Sequence, residues 1–192
     1  MRLAIFGGTF DPIHNGHLAI AREAARTCGL DRVLFVPAGI PPHKASGTRA
    51  PYADRLRMVE LACQGEPCFE VSAIEAGGHT NYSIDTIRKV AATLAPADEL
   101  YFLIGADAFA EIETWRRWRE VVRSVRFIVV SRAGRQYAVP EGAWVYRLDD
   151  LDVPASSSEI RCRLARGDHA VDLPPPVLAY IQEKKLYEQP PG

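Results

Sequence analysis

The chain has 192 residues, 47% hydrophobic and 24% charged, with a formal net charge of −1. This is the composition of a folded globular protein, long enough to bury roughly two-thirds of its unfolded surface as one domain over 1–192, and it argues against disorder. So small a net charge gives no global pull toward nucleic acid or a membrane surface, so neither is expected as a partner and any anion site must be local. No apolar run approaches the ~18 residues of a membrane span, and Met1-Arg2-Leu3 does not open a signal peptide. Cys28, Cys63, Cys68 and Cys162 have neither zinc-knuckle nor Cys-x-x-Cys spacing. Buried, reduced cysteines and a cytoplasmic location are the expectation.

Arg2 to Phe6 reads as a buried strand, continuously apolar as in a parallel sheet covered on both faces. A glycine-containing loop follows, then a helix from Leu18 to Thr27 with Asn15 as its cap and Gly29 as its stop. Val33 to Val36 is a second strand ended by Pro37, which with the first makes a right-handed crossover unit. Residues 37–51, rich in proline and glycine, form a long loop on the ligand-binding side of an open sheet. Asp54 to Cys63 reads as a helix and Phe69 to Ile74 as a half-exposed strand. Ser83 can cap a helix carrying Ile84, Ile87, Val90, Ala91 and Leu94, with Pro96 ending it. Leu100 to Ile104 is the central strand, closing on Gly105-Ala106-Asp107. A helical segment holding Trp115 and Trp118 leads to strands Phe127–Val130 and Trp144–Leu148. Ser156-Ser157-Ser158 opens a helix with Ile160 and Leu164, stopped by Gly167, and Pro174 to Pro176 open the last one. Alternating strands and helices of this kind predict a doubly wound parallel α/β sheet with helices on both faces.

The motif with most chemical content is Gly7-Gly8-Thr9-Phe10-Asp11-Pro12-Ile13-His14-Asn15-Gly16-His17. Paired glycines between a strand and a helix let the backbone approach a ligand, and the free N–H groups at the helix start favour an anion. The glycine spacing fits neither Gly-x-Gly-x-x-Gly nor a Walker loop. His14 and His17 stand where both imidazoles can donate to a phosphate. A purely structural histidine pair and a metal site are the competing readings of these two residues alone, and the second lacks further ligands.

These residues closely resemble the signature of nucleotidylyltransferases carrying a His-x-Gly-His motif, which are Rossmann-like enzymes. Their second motif, Ser-Ser-Thr-x-x-Arg, is matched by Ser156-Ser157-Ser158-Glu159-Ile160-Arg161, with serine at 158 in place of threonine. Among the branches, the pantetheine-phosphate enzymes usually have threonine at the position of His14, and the cytidylyltransferases usually have a different second motif. Pro41-Pro42-His43-Lys44, Asn81 to Thr86, Gly105-Ala106-Asp107, Trp115, Ser131-Arg132 and the stretch Tyr180 to Tyr187 are similar to bacterial nicotinate mononucleotide adenylyltransferases.

The resemblance implies transfer of AMP from ATP to nicotinate mononucleotide, giving nicotinate adenine dinucleotide and pyrophosphate in NAD biosynthesis. It implies that Gly7, Gly8, Thr9, Phe10, His14, Gly16, His17, Gly105, Asp107, Ser156, Ser157, Ser158 and Arg161 meet ATP. Gly8, Thr9, Lys44, Thr86, Trp115 and Arg132 would meet the mononucleotide. Trp115 would stack on the pyridine ring while Trp118 takes a core position, and the Thr86 backbone N–H would meet the nicotinate carboxylate. His14, His17, Lys44 and Arg161 form the catalytic set. The acceptor phosphate is already anionic, so in-line attack on the α-phosphorus needs no general base, and catalysis reduces to positioning and charge stabilisation. Mg²⁺ is expected on the substrate phosphates rather than in a protein cage. Nicotinamide mononucleotide or another phosphorylated acceptor, a nucleotide sensor without turnover, and homo-oligomerisation all remain open at this level.

Overall fold

In a computed structural model the fold is described for residues 1–40, 48–77, 80–131, 136–149, 151 and 156–188. Lys44 and Arg132 lie outside the described residues. The described elements run β1 Arg2–Gly8, α1 Asn15–Cys28, β2 Arg32–Pro37, α2 Tyr52–Cys63, β3 Phe69–Val71, α3 Ser83–Ala91, β4 Glu99–Gly105, α4 Ala106–Ala110, a 3₁₀ turn Ile112–Thr114, α5 Trp118–Ser124, β5 Arg126–Val130, β6 Trp144–Leu148, α6 Ser157–Leu164 and α7 Pro175–Lys184.

The strands form one parallel sheet in the order β3-β2-β1-β4-β5-β6. This is the expected doubly wound, Rossmann-like sheet. The order reverses between β1 and β4, and in such sheets the crevice beyond the carboxyl ends of those two strands receives ligands. Gly7 and Gly8 end one of them and Gly105 ends the other.

Strand alternation builds two cores from the same apolar runs. In β1, Ala4 and Phe6 face one side and Leu3 and Ile5 the other. β4 does the same with Tyr101 and Leu103 against Phe102 and Ile104. The first side is covered by α1, α2, α6 and α7 through Leu18, Met58, Val59, Ile160, Val177 and Ile181. The second is covered by α3, α4 and α5 through Ile84, Ile87, Phe109, Val121 and Val122. Burial on both faces explains why these strands read as continuous hydrophobic runs.

Some boundaries differ from the sequence reading. Asn15 is not the cap of α1: His14 holds that position with extended backbone, φ −141° and ψ 169°. Asn15 is the first helical residue and donates its side-chain amide to Asp172 Oδ1 at 2.8 Å. Tyr82, not Ser83, caps α3, which stops at Ala91. β3 covers only Phe69–Val71 because its register partners on β2 run only from Val33 to Phe35. Gly29 ends α1 at φ +60°, a left-handed turn that glycine adopts without a Cβ penalty. The four cysteines are free, but only Cys63 is buried and Cys162 is exposed. Trp118 is half-buried, resting against the second core rather than within it.

Candidate active site

Two chambers meet beyond the carboxyl ends of β1 and β4. One, of about 260 Å³, is lined by Gly7, Gly8, Thr9, Thr86 and Trp115. The other, of about 490 Å³, is lined by His14, His17, Gly105, Asp107, Ser156 and Ser157. Phe6, Leu103, Ile104 and Gly105 line both, so the two spaces share a wall at the switch point.

The histidine pair is built by the turn that starts α1. The His14 N–H donates to His17 Nδ1 at 3.2 Å, and the His17 N–H donates to the His14 carbonyl at 2.9 Å. His17 thus does at the third helical position what glutamate does in an ordinary capping box. The imidazole rings lie 3.8 Å apart between centroids at 35°, and Phe10 sets its edge against His17 at 5.1 Å. Burial pushes the His14 imidazole down to about 4, against the opposing pull of the Asp172 carboxylate. Burial first, and His14 second, hold His17 well below the ordinary histidine range. Both rings are therefore neutral near pH 7. His14 Nδ1 is buried without a hydrogen-bond partner among the described residues, an unmet demand that a ligand oxygen can satisfy.

The loop before the histidines is held from behind. Asp11, 3% exposed, accepts from the N–H groups of Arg49 at 2.8 Å and Ala50 at 3.1 Å, and from the Tyr187 hydroxyl at 2.7 Å. Arg55, 1% exposed, donates to the carbonyls of Thr9, Gly39 and Ala50. A buried guanidinium with several carbonyl acceptors is satisfied without a one-to-one ion pair. Phe10 takes φ +48°, and its ring fills the space where a Cβ on Gly8 would come within 2.8 Å. Its side chain belongs to the core, not to either chamber. Gly16 is likewise buried, in the first turn of α1.

The second motif divides its labour. Ser156 caps α6, accepting from the Glu159 N–H at 3.2 Å. Ser157 donates to the Pro12 carbonyl at 2.9 Å. Arg161 reaches the Asp11 carbonyl at 2.6 Å and the Ser158 hydroxyl at 3.1 Å. Ser156 and Ser157 face the larger chamber. Ser158 and Arg161 form a strut that ties α6 to the turn at Asp11.

In the smaller chamber Trp115 sets its edge against Phe102, with centroids 5.9 Å apart at 75°. The Thr86 N–H donates to the Tyr82 carbonyl at 3.3 Å, inside α3, and its hydroxyl donates to Glu75 Oε1 at 2.6 Å. The N–H groups that a helix leaves without an internal carbonyl belong here to Ser83 and Ile84, one turn earlier. Sequence reasoning assigned no role to Glu75 or Arg116, which line this chamber, or to Ser131, which lines the other. Arg116 adjoins Trp115 and could have been found from that adjacency. Glu75 follows a short strand and carries no local signal.

Residues 5–163 match the cytidylyltransferase-like family. A relative from Solibacter usitatus, named "probable nicotinate-nucleotide adenylyltransferase", is 63% identical over 187 residues, covering 97% of this chain and all of its own length. The chain belongs to the nicotinate-nucleotide adenylyltransferase family. A second member of that family, from Pelobacter propionicus, is 41% identical over the full length of both chains. The fold is shared with the nicotinic acid mononucleotide adenylyltransferase of Plasmodium falciparum, solved with NaAD, at a TM-score of 0.78 and 20% identity over 97% of each chain. The sequence expectation of a nucleotidyltransferase of this family with a Rossmann-like sheet is thus borne out. Among the described residues no helix is long and apolar enough to cross a membrane.

Proposed function

We propose that the protein transfers AMP from ATP to nicotinate mononucleotide, releasing pyrophosphate and forming the dinucleotide. The observation that carries this reading is the pair of chambers joined along Phe6, Leu103, Ile104 and Gly105. The larger, with imidazole, serine and helix-start donors, suits a triphosphate. The smaller, with Trp115 and an apolar floor, suits a flat aromatic ring.

In this arrangement an acceptor phosphate oxygen forms a bond to the α-phosphorus of ATP while the bond to the bridging oxygen of pyrophosphate breaks. No proton need be removed, so neutral His14 and His17 serve as hydrogen-bond donors to phosphoryl oxygens rather than as bases. Because His17 Nδ1 accepts the His14 N–H, the neutral ring carries its proton on Nε2, the nitrogen left to donate. Arg161 and Ser158 fix the distance between the two motifs. Hydroxyl, imidazole and backbone donors, with Asp107 the carboxylate of the larger chamber, suit an ATP whose phosphates carry Mg²⁺. The ion would offset phosphate charge. The four free cysteines favour a reducing compartment, and we place the reaction in the cytoplasm.

The test is pyrophosphate release from ATP and Mg²⁺ with nicotinate mononucleotide, nicotinamide mononucleotide or phosphopantetheine supplied separately. Release with the first mononucleotide is expected. Release only with another acceptor reassigns the substrate, and binding without release makes the protein a sensor.

A further inference from the structure

The turn after β1 and the segment after β2 are joined by one buried side chain that lines neither chamber. Arg55 in α2 is 1% exposed. Its Nη1 donates to the Thr9 carbonyl at 2.8 Å, its Nη2 to the Gly39 carbonyl at 3.1 Å and its Nε to the Ala50 carbonyl at 3.3 Å. The guanidinium lies over the Tyr52 ring, 5.4 Å from its centroid. Burial pulls its proton affinity below the ordinary guanidinium range, and the Asp11 carboxylate opposes that pull. The group still keeps its charge, and burying such a charge is costly unless its donors are used.

We infer that Arg55 is a positioning residue for the acceptor, setting one wall of the smaller chamber through the Thr9 and Gly39 carbonyls. The inference rests on the proposed reaction, with the acceptor in that chamber. Thr9 lines the chamber directly. Gly39 acts on it through its own N–H, which donates to Glu75 Oε2 at 3.2 Å, and Glu75 is a lining residue. Ala38 lines it too, and its N–H ties back to the Gly8 carbonyl at 2.8 Å. Among the described residues no other donor reaches the Thr9 or Gly39 carbonyl. The third arm of Arg55 is backed by others. The Ala50 N–H donates to Asp11, but Asp11 also accepts from Arg49 and Tyr187, and Arg161 holds its carbonyl. Loss of Arg55 therefore leaves the histidine side of the turn anchored and frees the acceptor side. A planar fork with donors in fixed directions spans three carbonyls at once, which a single ammonium does not.

The experiment measures kcat, both KM values and the Kd of nicotinate mononucleotide, with ATP and Mg²⁺ for turnover, on the wild type, Arg55→Met and Arg55→Lys. It is run at a temperature where circular dichroism shows each protein folded. Arg55→Met should lower kcat/KM for the mononucleotide about 10²-fold, the scale of a small misplacement of reacting groups, and leave the ATP KM nearly unchanged. Arg55→Lys should recover part of that loss, since charge persists without the fork, and it carries the test if the methionine variant does not fold. Folded variants that lose thermal stability but keep kcat and the acceptor KM would assign Arg55 to packing alone and overturn the inference. Equal rises in both KM values would also overturn it. If the wild type releases no pyrophosphate, the proposed reaction fails and the Kd decides separately: weaker mononucleotide binding in the folded variants supports the inference, and unchanged binding overturns it.

Discussion

His17 Nδ1 accepts the backbone N–H of His14 at 3.2 Å, so one imidazole caps the helix that presents both. Removing that ring takes away a cap and, on the proposed function, a phosphate donor together. His17→Ala should lower turnover by about 10²–10³-fold, the usual cost of one charge-stabilising donor. Steady-state pyrophosphate release checks this, and near wild-type turnover would contradict the assigned role. Asparagine at 17, which keeps a short acceptor, should restore thermal stability more than it restores rate.

The buried His14 imidazole makes stability depend on pH with a definite sign. Burial lowers its folded value to about 4 from the ordinary 6.5, so between those two values the unfolded chain takes up a proton that the folded chain refuses. The contribution is complete above about pH 6.5 and is lost as pH falls toward 4. Urea unfolding of the wild type and His14→Asn at pH 7.5, 5.5 and 4.5 should show the wild type losing more stability over that range. Parallel losses would contradict the account.

Tyr187 and Asp11 form a part-buried hydrogen bond of 2.7 Å across 176 positions of sequence. Burial and the Asp11 carboxylate push the Tyr187 phenol above its ordinary value, so it remains a donor at any working pH. Tyr187→Phe should cost about 2 kcal/mol, as expected for a lost bond to a charged acceptor. Denaturant titration gives the number. A change of a few tenths would mean that Asp11 is held by its backbone partners alone.

Gly39 lies where chain segments crowd the smaller chamber. A Cβ there would come within 2.4 Å of the Glu75 carbonyl oxygen and 2.7 Å of Asn81 Nδ2. Gly39→Ala must displace Glu75, and with it the Thr86 contact, at a cost of about 1–3 kcal/mol. The acceptor KM should rise while the ATP KM changes little. Substrate titrations of both separate the two.

The sheet was legible because its signals are local. Apolar runs bounded by glycine and proline located β1, β2, β4, β5 and β6, and strand-to-helix alternation implied their parallel pairing. The glycine loop and the serine cluster were visible as motifs because each is compact in sequence. Caps were misplaced at Asn15 and Ser83 because the cap is set by backbone dihedral angles, which His14 and Tyr82 adopt despite weaker intrinsic preference. The buried role of Arg55 has no local signal, since its carbonyl partners Thr9 and Gly39 lie 46 and 16 residues away. Phe10 reads as part of a phosphate loop, yet its ring packs inward because Gly8 leaves room for it. The Arg161 charge suggested a phosphate partner, and the fold gives its guanidinium the Asp11 carbonyl as well, 150 residues away.

The bond from Tyr187 back to Asp11 also sets an order of events during synthesis. The Asp11 turn leaves the ribosome well before Tyr187, the anchor 176 positions downstream. A nascent chain can form β1, α1 and β2 early and still lack the hydroxyl donor that helps to fix Asp11. Full anchoring of the Asp11 turn would therefore arrive with the segment that follows α7, rather than with the turn itself.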